Sequence, residues 1–233
     1  MKDNYVGDVN DYLKYGFLQW LKDSWTGPLI VCWMLTQNDE QGTRTGYLDG
    51  REWWQREGRD LDPVLFDRLA KIVGADNRSV QAIEGAGILD GASFFKRRLD
   101  PNSRDAFFRE LWESAREPSL IFFDPDTGLA SPSARKKQTK HLFPDELAEA
   151  GRRGHSIVVY QHHQRRDWES TASWLRDEAD QHLPEHHALT LYPAFPITPK
   201  PTAAFLLLAA GSEAKRLVDA ALAFAERWPV KID

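Results

Sequence analysis

The sequence predicts an α/β fold: a three-layer αβα sandwich built on a mainly parallel sheet that ends in an antiparallel hairpin. Three observations predict it. Apolar runs at 29–35, 79–83, 120–123 and 156–160 have the length of buried strands rather than of helices. Segments of helical periodicity separate them, and strands alternating with helices give a parallel sheet covered on both faces. The last two apolar runs, 188–192 and 203–209, are joined by a proline-rich stretch too short for a helical crossover, so they pair antiparallel. At 233 residues, with no Pro/Gly/Ser-rich linker, the chain reads as one domain over 1–233.

The elements follow in order. Residues 11–21 form a helix, with Leu13, Phe17, Trp20 and Leu21 on one face and Asp8 or Asn10 as its cap. Gly27-Pro28 introduces the strand at 29–35, and 37–50 is polar and turn-rich, leading to Trp53-Trp54. Residues 63–73 are helical through Leu65, Leu69, Ile72 and Val73. The strand at 79–83 leads into Glu84-Gly85-Ala86-Gly87, and 103–115 is helical. The strand at 120–123 stops abruptly in Asp124-Pro125-Asp126-Thr127-Gly128. Helix 142–151 has Pro144 near its start, where proline is tolerated. Strand 156–160, helix 167–182 and a closing helix at 212–228 complete the set.

Composition narrows the function classes. With 42% hydrophobic residues and no low-complexity segment, the chain is not a disordered one. The single Cys32 lies in an apolar run, which rules out an internal disulfide and fits a packing cysteine in a reducing cytoplasm. The N-terminus lacks the apolar region of a signal peptide, and the apolar run 203–210 is far below membrane-spanning length, so a cytoplasmic protein without a membrane partner is expected. No Gly-x-Gly-x-x-Gly follows a strand, and no phosphate-binding Gly-x4-Gly-Lys, Gly-x-Ser-x-Gly elbow or His-Glu-x2-His occurs; no cofactor or bound metal is expected. The net charge is −5, yet residues 135–166 hold eight Lys/Arg against three acids. That asymmetry fits a local anionic ligand such as phosphate, or equally a solvated helix face.

Four strand ends carry polar groups: Gln37, Asn38 and Asp39; Glu84; Asp124 and Asp126; Gln161, His162, His163 and Arg165. In a parallel sheet these converge on one edge, where α/β proteins bind ligands. Asp124-Pro125-Asp126 could hold a divalent cation, polarise a water or offset charge on a sugar, or simply close a strand with an Asx-type turn. Histidine in the Gln161–Arg166 stretch could be an acid, a base or a donor to a developing anion. Residues 5–16 pack acids, an amide, a lysine and tyrosines into the approach to the first helix, a pattern open to anion binding and to capping alike. Trp53-Trp54 cannot both face the core of one regular element, and exposed aromatics beside basic residues stack on splayed bases.

Two of these stretches resemble a largely uncharacterised bacterial family. Its members carry Tyr-Val-Gly-Asp, then an acid and Lys-Tyr-Gly, near the N-terminus, and an apolar strand leading into Asp-Pro-Asp-x-Gly-Leu. Here these are residues 5–8, Asp11, 14–16 and 124–129, and Val159-Tyr160-Gln161-His162 adds to the likeness. The resemblance extends to an anti-phage DNA glycosylase that removes hypermodified cytosines. Uracil glycosylases differ in motif order, so their catalytic residues are not carried over. The strand order also looks like an S-adenosylmethionine methyltransferase scaffold, but the first strand ends in Trp33-Met34-Leu35-Thr36, without the glycines that admit that cofactor.

The resulting expectation is a DNA N-glycosylase of anti-phage defence that flips a modified base out of the stack. An acid among Asp8, Asp124 and Asp126 orients water or offsets charge at the sugar, and His162 donates to the departing base. Tyr5, Trp53 or Trp54 stacks on the base. Asn10, Lys14, Tyr15, Glu84 and Gln161 line the site, while Lys136, Lys137, Lys140, Arg165 and Arg166 hold phosphates. Two alternatives stand beside it. One is a metal-dependent nuclease or phosphotransfer enzyme with Asp124, Asp126 and Glu84 as ligands. The other is a non-catalytic nucleotide- or DNA-binding module on a methyltransferase-like scaffold.

Overall fold

The computed structural model describes residues 1–37, 48, 58–75, 78–115, 117–130, 139–162, 168–183, 185–193 and 203–232. Among these residues the helices are α1 (Val9–Ser24), α2 (Pro63–Gly74), α3 (Val80–Gly85), α4 (Arg104–Ser114), α5 (Pro144–Arg152), α6 (Trp168–His182) and α7 (Ala214–Arg227). The strands are β1 (Leu29–Cys32), β2 (Ser93–Phe95), β3 (Leu120–Phe123), β4 (Gly128–Leu129), β5 (His141–Leu142), β6 (Ser156–His162), β7 (His187–Pro193), β8 (Ala203–Ala209) and β9 (Val230–Ile232).

Seven strands form one sheet in the order β2-β1-β3-β6-β8-β7-β9. β2, β1, β3 and β6 run parallel, then β8 lies antiparallel between β6 and β7, and β9 closes the edge antiparallel to β7. Alternate residues feed two separate cores, as the two-residue period of a strand requires. Leu29, Val31, Phe122, Val158 and Phe205 pack under α1, α2 and α7, whereas Ile30, Cys32, Phe123, Val159 and Leu206 pack under α4, α5 and α6. This is the expected three-layer αβα sandwich with its C-terminal hairpin. No helix among the described residues is long and apolar enough to cross a membrane.

Two strand expectations are corrected. Residues 79–83 belong to helix α3: the Ser79 side chain accepts from Ala82 N at 3.1 Å, and Val80 and Ile83 are both buried at helical spacing. The serine is an N-cap, and three apolar residues are too few to outweigh it. The strand beside β1 is instead β2, paired in register Ile30↔Ser93. β1 itself stops at Cys32 rather than running to residue 35, because the chain turns at Met34, which has a left-handed φ of 45°.

Helix α1 starts at Val9 because the Asp8 carboxylate accepts from Asp11 N at 2.9 Å. Its seat against α7 is close. A Cβ on Gly16 would lie 2.6 Å from the Trp228 ring, and that ring also packs 5.0 Å from Tyr12.

Candidate functional site

The parallel strands β1, β3 and β6 end on one edge, and α1 brings its first two turns to the same place. Between them lies a cavity of about 370 Å³, within the range of small-ligand sites. Tyr5, Asp8, Lys14, Asp124, Asp126, Lys140 and His162 all line it. Residues from the first dozen positions and from the hundred-and-sixties therefore share one hollow.

The loop after β3 is held from two sides. Asp124 N donates to Cys32 O at 3.1 Å, so the backbone is still in register when the carboxylate leaves the sheet. Gly128 has φ +110°, and a Cβ there would fall 2.3 Å from Gln161 Oε1. That amide accepts from Leu129 N at 2.8 Å and donates to Thr127 O at 3.2 Å. Thr127 N donates to Lys140 O at 2.9 Å, and the β4–β5 ladder follows. Gln161 is fully buried and does not line the cavity; it clamps the acidic loop instead of meeting a ligand.

The charges form a buried chain. Lys14 Nζ is 2.7 Å from Asp11 Oδ1 and 2.8 Å from Asp124 Oδ2, with all three side chains at most 3% exposed. Burial works against the ammonium, but the two carboxylates outweigh it and raise its pKa. It also lies 4.7 Å over the Tyr160 ring. Asp11 Oδ2 accepts from Gly7 N, and burial raises this carboxyl despite Lys14. Asp126 is ion-paired to the Met1 ammonium at 2.8 Å and accepts from the Thr36 hydroxyl at 2.7 Å. Burial opposes its ionisation, yet the ammonium, Thr36 and Lys2 hold its pKa below the ordinary value.

Two groups are tuned differently. Burial, reinforced by the neighbouring Asp11 carboxylate, raises Asp8 from 3.8 to about 7 against the pull of Lys14. Burial lowers His162 to about 4, and the Asp124 carboxylate does not compensate. The site thus sets a carboxyl drawn toward its acid form and an imidazole drawn toward its neutral form beside carboxylates paired with cations. Environments that drive neighbouring acids apart in this way are found at acid–base sites.

Other expected site residues lie elsewhere. Asn10 does not line the cavity but donates to Asp8 Oδ2 at 3.4 Å. Tyr15 is fully buried beneath the site, with its ring edge-on to Trp33. Glu84 does not line the cavity; it accepts from Trp33 Nε1 at 3.1 Å and pairs with Lys96. The set Asp124, Asp126 and Glu84 is therefore not assembled as a metal site, and the first two carboxylates already hold cations. Among the described residues no group of three or more His, Cys, Asp or Glu is arranged to hold a metal ion. Trp53, Trp54, Lys136, Lys137, Arg165 and Arg166 lie outside the described residues.

Asp11, Thr36 and Tyr160 also belong to the site, although the sequence does not single them out. Asp11 and Lys14 follow the Asp8 cap at three-residue intervals, which puts them on one side of the helix. Tyr160 is two residues before His162 and so shares its face of β6.

No family model matches the sequence, and no curated protein is significantly similar to it. Among solved structures, protein LPL1258 from Legionella pneumophila, of the family model DUF519, is similar in fold. The TM-score is 0.50 at 13% identity, covering 97% of this chain and 96% of that one. At that identity the likeness concerns the fold alone.

Proposed function

We propose that the chain hydrolyses the N-glycosidic bond of a modified base in DNA, and that the base is of the hypermodified-cytosine type found in phage genomes. The observation that carries this reading is the meeting of Asp8, Asp124 and His162 around one cavity, with Asp8 near pKa 7 and Asp124 tied to Lys14. Asp8 in its acid form gives its proton to the base as the C1′–N bond breaks. The Asp124 carboxylate offsets the positive charge growing on the sugar, as carboxylates do in glycoside cleavage. Water adds to C1′ and returns a proton to Asp8. His162, as a neutral imidazole, donates a hydrogen bond to the departing base. Lys140, exposed at the cavity edge, is a phosphate contact.

The test is base release from normal and hypermodified phage DNA, read by mass spectrometry together with abasic-site counting, with and without chelator. Asp8→Asn and Asp124→Asn should each lower the rate on the order of 10²–10³-fold, the loss typical of one transition-state contact. Folded variants that release base at wild-type rates overturn the proposal. Strand scission abolished by chelator would favour a metal-dependent nuclease.

A second reading draws on the sheet, in which β8 lies antiparallel between β6 and β7 as in the methyltransferase-like scaffold. It makes the chain a non-catalytic nucleotide- or DNA-binding module. Salt-sensitive DNA binding with no base released from any DNA distinguishes it.

A further inference from the structure

Tyr160 has no part in the reaction described above, yet it lines the same cavity. Its side chain is almost wholly enclosed, at 3% exposure. Among the described residues the ring is held by Lys14 over one face, Phe205 at 5.6 Å, and the His162 imidazole edge-on at 4.8 Å and 86°. The hydroxyl has no hydrogen-bond partner among the described residues, and it is not sealed off like the orphaned Tyr15 hydroxyl. A phenol whose ring is anchored and whose hydroxyl opens onto the cavity holds its donor in place for whatever occupies that cavity. The His162 ring nitrogens are likewise uncommitted among the described residues, and neither is sealed off. Two donors on one face of β6 therefore open onto one hollow.

We propose that Tyr160 and His162 form a donor pair for a single class of acceptor, a carbonyl oxygen conjugated to the nitrogen of the bond that breaks. This rests on the base-release reading and assigns Tyr160 a catalytic role within it. When the C1′–N bond breaks heterolytically, the electron pair stays on the base and spreads to that oxygen. Pyrimidines carry such an oxygen next to the glycosidic nitrogen; purines do not. The phenol donates a hydrogen bond and keeps its proton, while the base receives its proton from Asp8. Burial and the nearby Asp8, Asp124 and Asp11 carboxylates raise the Tyr160 hydroxyl well above its ordinary pKa, which suits a donor and not a base.

The substitution is Tyr160→Phe, which preserves the ring and its contact with Lys14. Base release is measured on DNA carrying pyrimidines with 5-substituents that make better or worse leaving groups. Binding of free cytosine and free adenine is measured separately by calorimetry. Tyr160→Phe should slow release about 10²-fold, with the deficit largest for the poorest leaving group, and should weaken cytosine binding at least tenfold without altering adenine binding. A Tyr160→Phe/His162→Ala double variant should lose less than the product of the single losses. Release unaffected by Tyr160→Phe overturns the donor pair and leaves the glycosylase reading standing. Cytosine binding weakened by Tyr160→Phe, in a wild-type protein that releases nothing, overturns the glycosylase reading and leaves the pair standing. A wild type that neither binds nor releases base overturns both.

Discussion

Replacing Lys14 by Met isolates the energetics on which the site depends. The ammonium is shared by Asp11 and Asp124, at 2.7 and 2.8 Å, with both carboxylates 2% exposed. Methionine keeps the length of the side chain and removes the charge, leaving two buried carboxylates facing one another. Breaking a buried pair in this way costs about 3–5 kcal/mol. Proton uptake caps the loss. Keeping one carboxyl protonated costs roughly 1.4 kcal/mol for each pH unit above its unfolded pKa of about 3.9, hence about 5.6 kcal/mol at pH 8 but only about 1.5 kcal/mol at pH 5. Asp11, whose pKa burial already raises, is the carboxyl that takes the proton. The folded variant then binds more protons than its unfolded chain, so its stability falls as pH rises. Urea denaturation of both proteins at pH 5 and pH 8 should show a loss of about 3–5 kcal/mol at pH 8 and at most about half of that at pH 5. Thermal midpoints should fall by about 10 °C at the higher pH. A loss below about 1 kcal/mol at pH 8, or one equal at both pH values, would refute the buried-pair account.

Three further outcomes follow from the same geometry. In the proposed reaction Asp8 acts in its acid form, and with its pKa raised to about 7 base release should be full below that pH and decline above it; a pH–rate profile with the same alkaline limb in Asp8→Asn refutes the assignment. Gly128→Ala forces a Cβ to 2.3 Å from Gln161 Oε1 at φ +110° and should destabilise the fold by about 2–3 kcal/mol; chemical denaturation showing no loss removes the clamp. Tyr15→Phe deletes a buried hydroxyl that has no partner among the described residues and should be neutral or stabilising by up to about 1 kcal/mol; a clear loss of stability contradicts it.

The parts of the fold legible in the sequence are those where a single signal acts alone. Residues 120–123 are apolar without a break and bounded by Pro118 and Asp124, and they form β3 with those bounds. The hairpin followed from the length of its connection and forms as β7 and β8. Residues 79–83 misled because Val80 and Ile83 suit either period, and the capping serine decides. β9 has only three residues, and its pairing with β7 is a long-range contact with no local signature. In the site, Asp8, Asp124 and His162 were legible because they punctuate apolar elements. Gln161 looked like a ligand residue for the same reason, yet its partner is the loop at Gly128, a relation visible only in three dimensions. Tyr160 was hidden because an aromatic at the end of a buried strand looks like core.

The contact between Gly16 and Trp228 ties the far end of the chain to the helix that carries Lys14. Only a hydrogen fits between the α1 backbone and that indole, so the indole fixes how closely the helix approaches it. A residue advances about 1.5 Å along a helix, and a slide of that much would shift the Lys14 ammonium against Asp124, now 2.8 Å away, by up to the same amount. Substitutions around Trp228 should thus be felt more than two hundred positions away, as a mis-set distance between side chains that are themselves unaltered.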